Sequence, residues 1–289
     1  MNKPLSLKTR IFLDSGDPQE TKEAISLLGF LDGQTTNPSL VAKNPELRKK
    51  IDSGEKLSAE DVHDFYRGVI KEISSQIPQG SVSVEVYADA TTSKEEIVKQ
   101  AREMDTWVHN AHIKLPITPS GLEAAHILSQ EEKKLNMTLC FSQQQAAAVY
   151  AATESSMKGD IFISPFIGRF DDRGENGMSF IENIVKMFST SNGHVEVLAA
   201  SVRTYEHFAY CLALGVDIIT APLKVLKQWK EHNLEIPGKD FQYEKGELKH
   251  IPYEEISLSK KWDQYNIQHD LTDAGLEKFA KDWKSLIKE

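Results

Sequence analysis

The chain has 289 residues, 40% hydrophobic and 27% charged, enough apolar material for a sizeable core and enough charge to keep it in water. Its 34 basic and 43 acidic residues leave a formal net charge of -9, which excludes a general nucleic-acid or membrane-surface binder but allows a local basic site for a small anion. No apolar run approaches the roughly 18 residues of a spanning helix, and MNKPLSLKTR lacks the apolar core of a signal peptide, so a cytoplasmic protein is expected.

Short apolar runs rich in β-branched residues alternate with longer segments at helical spacing, the pattern of βα units around a parallel sheet. In chain order the predicted strands are RIFLD (10–14), FLDGQ (30–34), SVSVEV (81–86), AHIKL (111–115), NMTLC (136–140), DIFIS (160–164), VEVLAA (195–200) and VDIIT (216–220). Eight such repeats match a closed (β/α)8 TIM barrel, whereas a doubly wound sheet usually stops at five or six strands. The longest gap predicts two helices within 38–77, one starting after Asn37-Pro38 and one covering Ala59 to Ile77.

A helix near 222–232 is followed by the polar, turn-rich IPGKDFQYEKGELKHIPY, which reads as a long excursion over the surface. The stretch LTDAGLEKFAKDWKSLIKE predicts a C-terminal helix with Thr272 as N-cap and Leu276, Phe279, Trp283 and Leu286 on a docking face. One barrel domain over 1–289 is expected, with extra helices and with 234–289 as an extension packed on it. Cys140 and Cys211 read as reduced packing thiols. There is no HExxH, and His109 and His112 would face opposite ways, so no metal site is expected.

Barrel enzymes work at the C-terminal ends of their strands, and polar residues collect there: Asp14, Thr35, Thr36, Asn37, Glu85, Lys114, Thr138, Ser164 and Ser201. Alternation puts Phe12 with Asp14, Ser83 with Glu85, His112 with Lys114 and Asn136 with Thr138 on the barrel interior. A lysine in AHIKLPITPSG therefore stands in an apolar setting that opposes its charged form, and a neutral amine condenses with ketones. Glu85, with Thr138 orienting a water or hydroxyl, has the residue types to shuttle protons, and Asp14 could take a hydroxyl proton as a carbon-carbon bond breaks. The alternative for Lys114 is a salt bridge to Glu85 or Asp14 that only holds the barrel together, and the residues alone leave both open. Arg169 and Arg203 follow the sixth and seventh strands, where barrels commonly bind phosphate, with Ser201 close by; the alternative is a pair of surface arginines answering Asp171 and Asp172.

The stretches DGQTTNPSLVAKN (32–44), SVEV (83–86), HIKLP (112–116), NMTLCFSQQQA (136–146), ISPFIGRFDD (163–172) and LAASVRT (198–204) resemble the transaldolases, in the same order along almost the whole chain. The resemblance implies a class I barrel whose Schiff-base lysine is Lys114. Such enzymes pass a dihydroxyacetone unit from a ketose phosphate to an aldose phosphate, naturally from sedoheptulose 7-phosphate to glyceraldehyde 3-phosphate, in the non-oxidative pentose phosphate pathway. It also implies that Asp14 acts on the substrate hydroxyl, that Glu85 and Thr138 handle the catalytic water, and that Asn37 and Ser164 hold the hydroxyls of the transferred unit. Arg169, Ser201 and Arg203 would bind the phosphate, Thr36 would shape the pocket floor and Phe166 would pack on the intermediate. The related fructose 6-phosphate aldolases generally carry glutamine at the position of Glu85 and tyrosine at that of Phe166, so the chain resembles the transferases more. A fructose 6-phosphate aldolase-like enzyme and a sugar-phosphate-binding barrel without catalysis are the alternatives. Sugar phosphates are the expected partners, neither nucleic acid nor membrane is, assembly into a homo-oligomer is left open, and no cofactor is expected.

Overall fold

Eight strands pair in sequence order, each parallel to the next, and the last closes on the first. They are β1 (Arg10–Asp14), β2 (Gly33–Thr35), β3 (Ser81–Glu85), β4 (Ala111–Pro116), β5 (Leu135–Cys140), β6 (Ile161–Pro165), β7 (Val195–Ala199) and β8 (Ile218–Ala221). With helices between successive strands, this is a (β/α)8 TIM barrel. The computed structural model describes residues 3–238 and 240–287. The first two residues of the N-terminal stretch, Lys239 of the polar excursion and the last two residues of the C-terminal stretch lie outside the described residues. No described helix is long and apolar enough to cross a membrane.

The strands are buried on both sides, so their outward residues such as Leu13, Val84 and Ile113 are apolar and lie under helices. The interior is filled in layers. Near the strand starts, His112 stacks on Phe162 with ring centroids 4.0 Å apart, and Phe12 meets the same ring edge-on. A Cβ on Gly33 would fall 2.5 Å from the Phe12 ring, so this floor requires glycine there. Higher up, Asn136 donates to Ser83 at 3.0 Å and accepts from Ser164 at 2.7 Å, which ties three strands together through polar side chains that all find partners.

Two strands start later than the apolar runs suggest. β2 begins at Gly33 because the Asp32 carboxylate accepts the Ile11 N–H at 2.8 Å, and β8 begins at Ile218 because the Asp217 carboxylate accepts the Val197 N–H at 2.9 Å. In each case a side chain satisfies a backbone donor that a longer ladder would have used.

Residues 38–77 hold three helices, Pro38–Val41, Pro45–Asp52 and Ala59–Gln76, rather than the two expected. Asn44 causes the restart: its side-chain oxygen accepts from Glu46 N–H at 2.9 Å, its amide donates to the Gly16 carbonyl, and Pro45 opens the next helix.

The helix Leu223–Glu231 forms as expected, and the chain from Lys249 to Ile267 then runs along the outer helices. Asn183 donates to the carbonyls of Ile251 and Pro252, while Gln143 and Gln145 bond to Glu254 and Ile267. The last described helix spans Asp270–Lys284 and buries Leu276, Phe279 and Trp283, with Leu286 buried just beyond it. Its N-cap is His269, whose ring nitrogen accepts the Leu271 N–H, and not Thr272. The Thr272 hydroxyl is used for tertiary bonding: it donates to the Leu139 carbonyl at 2.9 Å and accepts from Gln145 at 2.8 Å.

Candidate active site

A cavity of about 500 Å³ opens at the C-terminal ends of the strands. Asp14, Asn37, Lys114, Ser164, Phe166, Arg169, Ser201 and Arg203 all line it, so eight of the eleven side chains selected from the sequence meet there. Glu85, Thr36 and Thr138 are buried and do not line that cavity.

Register brings Glu85 and Lys114 side by side on β3 and β4. The Lys114 ammonium lies 2.9 Å from Glu85 Oε2, with both side chains 4% exposed, and 3.4 Å from the Thr36 carbonyl, to which it donates. The salt-bridge alternative for Lys114 is thus met by Glu85, but in a setting that also serves chemistry. Burial pushes the Glu85 carboxyl above the usual carboxylate range against the opposing pull of Lys114. Asp14 is raised for the same reason, with Lys114, the Thr35 hydroxyl 2.8 Å away and Lys43 acting in the other direction. Two carboxyls of raised basicity and one amine are therefore grouped together, Glu85 and Lys114 buried and Asp14 half-buried at the cavity wall.

Thr138 stands on β5, on the same face as Asn136 by strand alternation, and its buried hydroxyl has no hydrogen-bond partner among the described residues. A buried hydroxyl without a partner suits a water or a substrate oxygen. Immediately after it Leu139 adopts φ +60° at the break in the β5–β6 register, so the strand is bent where it leaves the barrel.

The opposite wall is basic. Arg169 is half-buried, its guanidinium carbon 5.9 Å from the Phe166 ring and 6.0 Å from the Phe279 ring, and no carboxylate among the described residues forms an ion pair with it. Burial and the neighbouring Arg203 hold its pKa below the usual arginine value. Arg203 is exposed and clasped by Asp172 through both guanidinium nitrogens, one contact measuring 2.6 Å. The surface-pair alternative therefore describes Arg203 with Asp172, whereas Asp171 lies 2.7 Å from His207 instead. A Cβ on Gly168 would fall 2.3 Å from Arg203 Nε, so glycine there lets the guanidinium lie across the turn. Ser201 adopts φ +56°, and its carbonyl accepts the Gly168 N–H.

Several lining residues were not selected from the sequence. Thr220 shares its hydroxyl with Thr35 at 2.6 Å, and Lys43, Lys278 and Phe279 close the mouth. Lys43 lies within the stretch 32–44, Phe279 belongs to the docking face of its helix, and nothing in the sequence singles out Lys278 beyond its helix position. Tyr66, which bonds to both Thr36 and the Glu85 backbone, looked like one more apolar position of its helix.

Comparison with known proteins gives the family of the chain. The chain matches the family described as transaldolase/fructose-6-phosphate aldolase over residues 11–289. It is 34% identical to a probable transaldolase of Dehalococcoides mccartyi over 96% of this chain and 100% of the relative, and 35% identical to one of Clostridium kluyveri over 96% and 98%. A probable transaldolase of Brucella melitensis is 40% identical over 79% of this chain and 92% of its own. Among solved structures, thiamine phosphate pyrophosphorylase of Pyrococcus furiosus aligns with a TM-score of 0.43 and 14% identity over 81% of this chain and 100% of that one. A family match from residue 11 to residue 289, with near-complete coverage by relatives of one kind, means that this chain belongs to the transaldolase/fructose-6-phosphate aldolase family.

Proposed function

We propose that the protein is a transaldolase of the pentose phosphate pathway, acting in the cytoplasm, which carries a dihydroxyacetone unit from sedoheptulose 7-phosphate or fructose 6-phosphate to an aldose phosphate. The observation that carries the proposal is the buried 2.9 Å approach of Glu85 to Lys114, which itself lines a cavity whose far wall is basic.

Once Lys114 has passed a proton to Glu85, its amine adds to the C2 carbonyl of the donor. Glu85 protonates the carbonyl oxygen, then takes a proton from the nitrogen and gives it to the carbinolamine hydroxyl, so that water leaves and an iminium forms. Asp14 then removes the proton of the C4 hydroxyl as the C3–C4 bond breaks; the bonding electrons pass to the iminium, leaving an aldose phosphate and an enamine. In the second half the enamine carbon attacks the acceptor aldehyde, Asp14 returns its proton to the new hydroxyl, and water oriented by Thr138 and Glu85 hydrolyses the iminium. Asn37 and Ser164 hold the hydroxyls of the transferred unit, Thr36 forms the floor, and Arg169, Ser201 and Arg203 hold the phosphate.

Glu85 and Phe166 favour transfer over simple aldol cleavage. The Phe166 ring is buried, stands edge-on to Phe141 at 5.6 Å and has no hydroxyl with which to activate water on the intermediate. Incubation with fructose 6-phosphate and borohydride should fix the three-carbon unit on the peptide that contains Lys114, and added erythrose 4-phosphate should be converted to a seven-carbon ketose phosphate. Absence of label on that peptide would sink the proposal, and release of free dihydroxyacetone at the same rate without acceptor would turn it into an aldolase.

A further inference from the structure

The helix Ala59–Gln76 docks through Val62, Tyr66, Val69, Ile70 and Ile73, an apolar stripe at three- and four-residue spacing. Phenylalanine would fill the Tyr66 position as well as tyrosine if packing were the only demand. Its ring meets Trp107 and Trp283 edge-on, with centroids 5.7 and 5.8 Å away, and the whole residue is 1% exposed.

The hydroxyl is placed with more specificity than packing needs. It accepts the Glu85 N–H at 2.9 Å and lies 2.7 Å from the Thr36 hydroxyl. Thr36 gives its one hydroxyl proton to the Ser83 carbonyl at 2.8 Å, so Tyr66 must be the donor to Thr36. The Thr36 carbonyl in turn accepts from the Lys114 ammonium. One phenol therefore ties the backbone of Glu85 to the loop residue that meets Lys114, across the gap where β2 ends and β3 continues.

We propose, on the transaldolase reading of Lys114 and Glu85, that Tyr66 is a positioning residue for proton transfer. By fixing the Glu85 backbone and the Thr36 carbonyl together it sets the approach of carboxylate to amine. A misplacement of about 1 Å at a reacting pair can cost about a hundredfold in rate, so a hydroxyl held at two hydrogen-bond distances suffices to set turnover. The phosphate wall, built by β6 and β7 and the turns that follow them, shares none of these bonds and should not feel the change.

The test is Tyr66→Phe, which keeps the ring between the two tryptophans. Its kcat should fall about tenfold or more, in step with the rate of borohydride trapping on Lys114, while KM for fructose 6-phosphate and competitive inhibition by inorganic phosphate stay within about twofold of the unmodified protein. Ile73→Ala, a cavity in the same helix away from the hydroxyl network, should lower thermal stability yet leave kcat unchanged. Thr36→Val, which removes the other hydroxyl of the chain of bonds, should reproduce the slow trapping and gives a second route to the answer where Tyr66→Phe folds poorly. If Tyr66→Phe trapped and turned over like the unmodified protein, or lost phosphate inhibition as much as kcat, the positioning role would be overturned. If the unmodified protein failed to trap on Lys114, the transaldolase reading would fall and the positioning role with it.

Discussion

Lys114 and Glu85 form an ion pair that is almost entirely removed from solvent. Taking away the amine strands a carboxyl that burial already drives toward its protonated form. Lys114→Met should lose about ten-thousandfold or more in transfer activity. Its stability loss should depend on pH. A carboxyl whose folded pKa lies above its unfolded value contributes stability below the unfolded pKa and loses it as pH rises through the folded value. Lys114→Met should therefore be destabilised mildly at pH 5 and by about 3–5 kcal/mol at pH 8, where Glu85 must ionise without a partner. Urea unfolding at the two pH values measures this, and equal losses would contradict it.

Arg203→Ala should raise KM for fructose 6-phosphate by about 10- to 100-fold, the worth of a charge-assisted bidentate contact. An unphosphorylated donor such as fructose should be used as before. Steady-state kinetics with the two donors gives the comparison, and parallel increases would argue that Arg203 shapes the fold instead.

Phe166→Tyr introduces a hydroxyl beside the site of the intermediate. Free dihydroxyacetone should then accumulate from fructose 6-phosphate without acceptor, at a rate raised several-fold relative to transfer. An unchanged ratio of hydrolysis to transfer would remove Phe166 from the determinants of reaction type.

His112 is buried on the barrel floor, held between the Ser81 hydroxyl and the Gly159 carbonyl, and burial pulls its pKa down to about 3. A base depressed on folding leaves stability intact above its unfolded pKa and withdraws it as pH falls, because the unfolded chain takes up a proton that the folded chain refuses. From about 6.5 down to pH 5 this one ring should remove about 2 kcal/mol. His112→Asn should flatten that part of the curve of unfolding free energy against pH; a slope identical to the parent would show that the histidine does not govern it.

Thr272→Val keeps the shape of the side chain but strands the Leu139 carbonyl and one Gln145 donor. It should cost about 1–3 kcal/mol in unfolding free energy, whereas a simple surface cap would respond more weakly to the same change.

Much of the barrel is legible in the sequence because parallel strands buried on both faces must be continuous apolar runs, and their period of two assigns interior positions directly. Asp14, Glu85 and Lys114 stand out because charge inside such a run has no structural reason that packing can supply. Less legible are features set by partners distant in the chain. Asp32 and Asp217 shorten strands by accepting N–H groups from neighbouring strands, and nothing local announces this. Thr272 has the residue type of a cap, yet its hydroxyl serves Leu139. The Asn44-Pro45 restart was readable by the rule that placed a helix after Asn37-Pro38, but the polar character of 43–52 hid it. Tyr66 carried no signal, since at helical spacing its hydroxyl is invisible.

Arg203 reaches its place already joined to Asp172. On the proposed function, an incoming phosphate ester would meet a guanidinium whose charge is partly spoken for, and its capture would be a change of companion instead of the making of a pair from two free ions. Affinity is then the difference between two anions competing for one cation. For a catalyst that must release one sugar phosphate before it admits the next, and a second before it can begin again, such a grip has the merit of being easily undone.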